Sequence, residues 1–347
     1  MFWFYLLSGL FLGWSLGAND AANVFGTAVG ARMVRFKTAA VISSAFVLLG
    51  AVLSGAGTTE TLVALGAVSA PAASFTLALV AGLTVFWMTK ATLPVSTTQA
   101  IVGAILGWNM FTHSRTDPAV LTKIVATWVL SPVLAGAFAV VLYLLFKRVL
   151  NRAHIHLLRL DAYTRAGLII VGAFGAYSLG ANNIANVVGV FVRASPFTDI
   201  GIAGSLHISG AQQLFLLGSL AISFGICSYS FRMMTAVGNE IVKLTPILAM
   251  IAVLAHSLVL LVFASKGLKT LLTSVGLPSL PLVPVSSSQA IVGAICGLGL
   301  LKSSRTVNYR YLGKIVVGWV LTPVVAALLS FVALFFVQNV FQQPVVR

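Results

Sequence analysis

The chain alternates long apolar runs with short polar breaks, and the runs fall at about 2–16, 38–56, 73–92, 95–111, 120–146, 166–180, 208–230, 246–265, 284–301 and 313–337. Runs of this length suit helices that approach or cross a hydrocarbon layer about 30 Å thick. Their apolarity is continuous and does not alternate with period two, which disfavours a transmembrane β-barrel. Five runs lie on each side of a polar, basic stretch from Lys147 to Arg165. The pattern predicts an all-α polytopic membrane protein with first and second halves at 1–146 and 166–347, joined by a linker at 147–165. The run from Met1 to Leu16 has no basic residue before its apolar part and leads straight into a polar motif, so it reads as a retained first span.

An internal repeat organises these runs. Gly17-Ala-Asn-Asp-Ala-Ala-Asn23 returns as Gly180-Ala-Asn-Asn-Ile-Ala-Asn186, an offset of 163 residues. Pro94-Val-Ser-Thr-Thr-Gln99 returns as Pro284-Val-Ser-Ser-Ser-Gln289, with an offset of 190. Lys123-Ile-Val and Trp128-Val-Leu-Ser-Pro132 return as Lys314-Ile-Val and Trp319-Val-Leu-Thr-Pro323, with an offset of 191. Three matches in one order mean a duplicated half, and the growing offset means longer loops in the second copy. An odd number of spans per half sets the copies in opposite orientations, the inverted-repeat plan of many secondary transporters.

Charge supports that orientation. With the central stretch placed in the cytoplasm, fourteen Lys and Arg residues fall inside and six outside, with Lys90 at a span end. The positive-inside rule then predicts both termini outside, in a multi-pass protein of the cell membrane. Composition agrees: 59% of residues are hydrophobic and only 8% charged, too few to cover a soluble surface. The net charge of +15 follows from the loops and forms no basic stripe for a phosphate backbone, so a nucleic-acid partner is not expected. Cys227 and Cys296 have neither redox nor metal spacing.

Polar side chains within apolar runs are costly in a bilayer and normally face a partner or a cavity. Asn19, Asp20 and Asn23 form such a cluster, and Asn182, Asn183 and Asn186 are its copy. Gly17 and Gly26 bracket the first cluster and predict a broken helix near the midplane, whose free N–H groups could receive an anion. Pro94 and Pro284 suit the first turn of a helix, placing Ser96, Thr97, Thr98 and Gln99, and Ser286, Ser287, Ser288 and Gln289, beside unsatisfied N–H groups. Hydroxyls and amides can donate to a tetrahedral oxyanion, and their oxygens can coordinate a hard cation. All fourteen are candidate substrate-binding residues, and Asp20, Asn23 and Asn186 are candidate sodium ligands. Glu60 and Glu240, and His154 and His156 in the basic stretch, read as solvated, and the remaining histidines are scattered.

With its two motifs each present twice, the chain resembles the PiT family of inorganic phosphate transporters over nearly its whole length. The resemblance implies a secondary transporter that couples phosphate uptake to Na⁺ or H⁺, with the duplicated motifs forming the anion and cation sites. No further cofactor is implied. Against the family pattern, Asn183 replaces a second aspartate, and Gln99 and Gln289 stand where many members have histidine. The family also tends to carry a glutamate in the helix after each first motif, where an ungapped placement puts Val47 and Val253.

The expected mechanism is cation-coupled symport of phosphate by alternating access. A sulfate permease resembling the same family is the rival, because phosphate can donate a proton to a carboxylate while sulfate only accepts, and this site has few carboxylates. An uncoupled anion channel could use the same donors. An enzyme is disfavoured, since neither a nucleotide loop nor a nucleophile paired with a base is present in the sequence. Partners are thus the anion, sodium or protons, the lipid bilayer, and in one arrangement a second copy of the chain.

Overall fold

Each of the ten apolar runs forms a helix. In the computed structural model, which describes residues 1–91, 95–153, 156–202, 206–240, 244–302 and 308–346, the first half comprises α1 (Phe2–Gly30), α2 (Phe36–Ser54), α3 (Ala56–Leu65), α4 (Pro71–Lys90), α5 (Thr97–Phe111) and α6 (Pro118–Ala153). The second comprises α7 (Leu157–Val188), α8 (Gly210–Glu240), α9 (Pro246–Ala264), α10 (Lys266–Ser274), α11 (Ser287–Lys302) and α12 (Tyr309–Asn339). Among the described residues, seven helices are long and apolar enough to cross a membrane. α1 spans 29 residues but its polar motif keeps it out of that group, and α5 and α11 are shorter, at 15 and 16 residues. α3 and α10 are not among the expected runs because, at 10 and 9 residues, they are too short to stand out as long apolar stretches.

The two halves are equivalent and inverted. α1 packs on α8 and α4 as α7 packs on α2 and α9, and α5 packs on α12 as α11 packs on α6. The equivalent helices α1 and α7 run antiparallel: Gly9 lies against Val187 and Phe191, whereas Phe25 lies against Gly172. That direction reversal is the inversion the odd span count predicts. The second half adds a two-stranded hairpin, β1 (Ile200–Ile202) paired with β2 (Leu206–Ile208), between α7 and α8.

The expected helix break at Gly17 does not occur. α1 is continuous from Phe2 to Gly30 and α7 from Leu157 to Val188, so both first motifs lie inside unbroken helices. The glycines serve another purpose. A Cβ at Gly17 would overlap the Ile222 carbonyl of α8, and one at Gly180 would overlap the Val47 carbonyl of α2. They let two backbones touch at equivalent crossings, which holds the polar face of each helix toward the molecular centre. The same equivalence pairs Val47 with Ile222 of α8, so the ungapped placement at Val253 of α9 was one helix too far. Both Val47 and Ile222 are buried and apolar.

The basic stretch at 147–165 is mostly helical, because its residues continue α6 to Ala153 and open α7 at Leu157. His156 caps α7, its Nδ1 accepting from Leu158 N at 3.4 Å. Glu60 pairs with Lys266 between α3 and α10 at the surface. Pro94, His154, Lys243, Arg305 and Arg347 lie outside the described residues, as does the side chain of Glu240. α6 and α12 wrap the outside. Ile124, Thr127, Ser131, Ala135 and Ala139 of α6 make a buried stripe at helical spacing, and most of its other side chains face outward. Such wide apolar exposure fits lipid contact, and the protein is a multi-pass membrane protein.

Candidate functional site

Helix starts, not a break in α1, bring the backbone to the centre. Ser96 caps α5, its Oγ accepting from Gln99 N at 3.2 Å, and Ser286 caps α11 through Gln289 N at the same distance. Each cap satisfies one of the first-turn N–H groups and leaves others of that turn without an intrahelical acceptor. Pro284 sits two residues before the cap, correcting its expected place in the first turn, and the chain there is extended enough for Val285 N to donate to Asn182 Oδ1 at 3.0 Å.

The two helix starts cross-brace each other. Thr98 Oγ1 donates to the Val285 carbonyl at 3.2 Å, and its counterpart Ser288 Oγ donates to the Val95 carbonyl at 2.7 Å. The first motifs then reach across the pseudo-two-fold. Asn23 of the first half donates from Nδ2 to Ser287 Oγ at 3.0 Å and Ser288 Oγ at 3.5 Å. Asn186 of the second half donates to Thr98 Oγ1 at 2.9 Å and to Asn183 Oδ1 at 2.9 Å. Asn19 and Asn182 are turned instead toward their own halves, donating to Thr89 Oγ1 at 2.9 Å and to the Leu260 carbonyl at 3.3 Å. Asp20 lies one turn before Asn23 on α1, at the spacing that places both on one face.

The fourteen candidate residues are all buried, none more than 3% exposed, so this cluster is closed to both faces. Several of its polar atoms have no hydrogen-bond partner within the protein: Asn19 Oδ1, Asp20 Oδ1, Gln99 Oε1, Asn186 Oδ1, Gln289 Oε1 and Thr97 Oγ1. Asn183 Nδ2 is likewise unpartnered. Leaving a buried polar group unpaired costs about 1–3 kcal/mol, so a concentration of them marks a place where a polar ligand can repay the cost. The oxygens suit a hard cation, while the amide N–H groups and helix starts suit an oxyanion. Among the described residues there is no group of three His, Cys, Asp or Glu side chains for a transition metal.

Sequence reasoning passed over two members of this neighbourhood. His256 of α9 is fully buried, with Nε2 2.9 Å from Ser287 Oγ, and Thr89 of α4 receives Asn19. His256 carried a usable signal, being the one ionisable side chain in the apolar run at 246–265. Thr89 carried none, since threonine in a membrane helix most often bonds its own backbone, as Thr89 also does to Val85. Lys90, placed at a span end by the sequence, is the exposed last residue of α4.

An inverted duplication of membrane helices whose matched motifs interlock around a closed polar centre is an architecture found in many membrane transport proteins. The chain belongs to the phosphate transporter family, whose model matches residues 16–330. A relative in Methanocaldococcus jannaschii named "Putative phosphate permease" is 26% identical over 328 residues, covering 94% of this chain and 95% of the relative. A relative of the same description in Pyrococcus abyssi is 25% identical, again over 94% of this chain and 95% of its own length. Among solved structures, one described as "The sodium-dependent phosphate transporter" shares the fold with a TM-score of 0.79, at 21% identity, covering 97% of this chain and 98% of its own.

Proposed function

We propose that this protein is a cation-coupled symporter that imports inorganic phosphate across the cell membrane by alternating access. The observation that carries the reading is the crossed cluster, in which Asn23 bonds the start of α11 and Asn186 bonds the start of α5. Because each half holds the other through its site residues, a tilt of one half against the other opens the cluster to one face while the site itself persists. The burial of all fourteen residues corresponds to the occluded step of such a cycle. A channel needs a continuous path, and the closed centre favours a carrier.

Phosphate as the anion is supported by the family and by the names its relatives bear. In this reading the first-turn N–H groups of α5 and α11, the hydroxyls of Thr97 and Ser287, and the amides of Asn183 and Gln289 hold it, while Thr98 and Ser288, whose protons go to the Val285 and Val95 carbonyls, fix the two helix starts around it. Coupling follows from energetics: importing a divalent anion against 100 mV costs about 4.6 kcal/mol, so at least two monovalent cations must accompany it for electroneutrality. Sodium fits the unpartnered oxygens of Asn19 and Asp20, with Asn23 and Asn186 completing a ligand set. The description of the solved relative as sodium-dependent is consistent with that choice. The excess of basic residues on the face holding the α1–α2 and α6–α7 connections supports a cytoplasmic position for that face, with both termini outside.

A sulfate reading has one specific observation in its favour, the loss of the second acidic residue at Asn183. Paired uptake of labelled phosphate and sulfate into proteoliposomes, first under a sodium gradient and then under a proton gradient, separates the two. Sodium-stimulated phosphate uptake with sulfate inert is the expected result; sulfate uptake with phosphate inert overturns the assignment.

A further inference from the structure

The two halves of the site differ at a place that the sequence repeat does not reveal. Pro71 and Pro246 open the equivalent helices α4 and α9, so His256, ten residues after Pro246, stands opposite Ala81. The consequence is local. Ser287 Oγ has two partners, Asn23 Nδ2 at 3.0 Å and His256 Nε2 at 2.9 Å, whereas its counterpart Thr97 Oγ1 has none within the protein. A histidine whose role was only packing would have both ring nitrogens paired or would be replaced by an apolar residue of similar volume. Here the second nitrogen, Nδ1, is buried with no partner in the protein.

The donor arithmetic constrains what this arrangement offers. An amide nitrogen only donates, so Ser287 Oγ must accept from Asn23. If Ser287 also donates to Nε2, the neutral ring carries its proton on Nδ1 and presents a free N–H. If instead Nε2–H donates to Ser287, the hydroxyl proton is released at the start of α11 and Nδ1 becomes a bare acceptor. The second tautomer therefore offers a donor at Ser287 and an acceptor at Nδ1 within one hydrogen-bonded pair, which matches a tetrahedral oxyanion that still carries a proton and does not match one that only accepts.

Resting on the phosphate reading above, we propose that His256 is a specificity-determining residue, which orients the Ser287 hydroxyl and reads the proton of the transported oxyanion. It supplies in the second half a neutral proton acceptor, while the first half has the acid Asp20. Sulfate, lacking a proton to give, leaves Nδ1 unpaired in this tautomer and is held less well.

The test uses the full-length protein in proteoliposomes and measures the KM for phosphate and the inhibition of phosphate uptake by sulfate. His256→Gln keeps a polar atom near the position of Nε2 and removes Nδ1; His256→Asn does the converse. The expected result is that His256→Gln retains uptake but weakens the preference for phosphate over sulfate by about tenfold. His256→Asn is expected to raise the KM for phosphate with a smaller loss of preference. A role in packing alone predicts equal effects on both anions, and with a variant that inserts and transports, an unchanged phosphate-to-sulfate ratio in both substitutions overturns the inference. Should a variant fail to insert, Ser287→Ala in the wild-type background supplies the second reading: a preference that stays at the wild-type value also overturns it. Wild-type protein that takes up no phosphate overturns the functional reading beneath it, an outcome distinct from wild-type uptake with unaltered selectivity in the variants.

Discussion

Asp20 is the residue on which the site's electrostatics turn. Its duplicated partner is Asn183, so a single carboxyl group lies among the fourteen buried candidates. Asn183 Oδ1 is occupied by Asn186, but Asp20 Oδ1 is left without a protein partner. The asymmetry is plain: the second half is knitted by amides, and the first half has an acidic oxygen with no protein partner, the one proposed above for the cation. Asp20→Asn should therefore lower sodium-stimulated phosphate uptake at least about tenfold while insertion and folding persist, since the amide has nearly the same volume. Uptake and sodium dependence at wild-type levels would remove Asp20 from the coupling step. The Asn and Ser/Thr members were legible in the sequence because amides and hydroxyls clustered inside apolar runs and did so twice. His256 was legible only as a lone ionisable side chain in an apolar run; its place in the site was not, because its partner Ser287 is 31 residues away and no repeat marks the position.

At the scale of helices, the apolar runs predicted which segments are helical but not where the backbone is interrupted. A glycine before a polar cluster reads equally as a break or as a close contact, and only the neighbour decides. For Gly17 the neighbour is the Ile222 carbonyl on α8, and for Gly180 it is the Val47 carbonyl on α2. The interruptions occur instead before Thr97 and Ser287, where Ser96 and Ser286 cap the starts of α5 and α11. This geometry makes a direct prediction. Gly17→Leu forces α1 and α8 apart and should destabilise the fold by about 1–3 kcal/mol or more, seen as a lower thermal transition in detergent. Gly318→Ala on α12, where an added Cβ would meet nothing within 4 Å, is the matched control and should leave that transition unchanged or slightly raised. Equal transitions in both variants would contradict the crossing as the reason for Gly17.

The molecule as a whole is two inverted halves that share one polar centre. The low charge content first indicates a bilayer, but the structure ties it to the site: the centre is built from amides, hydroxyls and helix starts with one acid, and the basic residues lie mainly in connections and helix ends. Inversion was legible from an odd count of spans, and the antiparallel course of α1 and α7 accounts for it physically. Sidedness is a separate claim, because the fold fixes which connections share a face and charge alone assigns that face to the cytoplasm. Cysteines introduced at Lys37 and at Ser114 in a chain lacking Cys227 and Cys296 test it. An impermeant thiol reagent applied to intact cells should label the position at 114 and spare the one at 37; the reverse pattern would invert the topology.

The central claim, that one crossed site carries phosphate together with a cation, is tested most directly by accumulation. Proteoliposomes loaded with phosphate at the external concentration and held at zero membrane potential are given an inward sodium gradient, and internal labelled phosphate is followed to its plateau. The account predicts a plateau above the external concentration that collapses when a sodium ionophore is added. A plateau equal to the external concentration, with or without the gradient, would contradict coupled transport and identify a passive path.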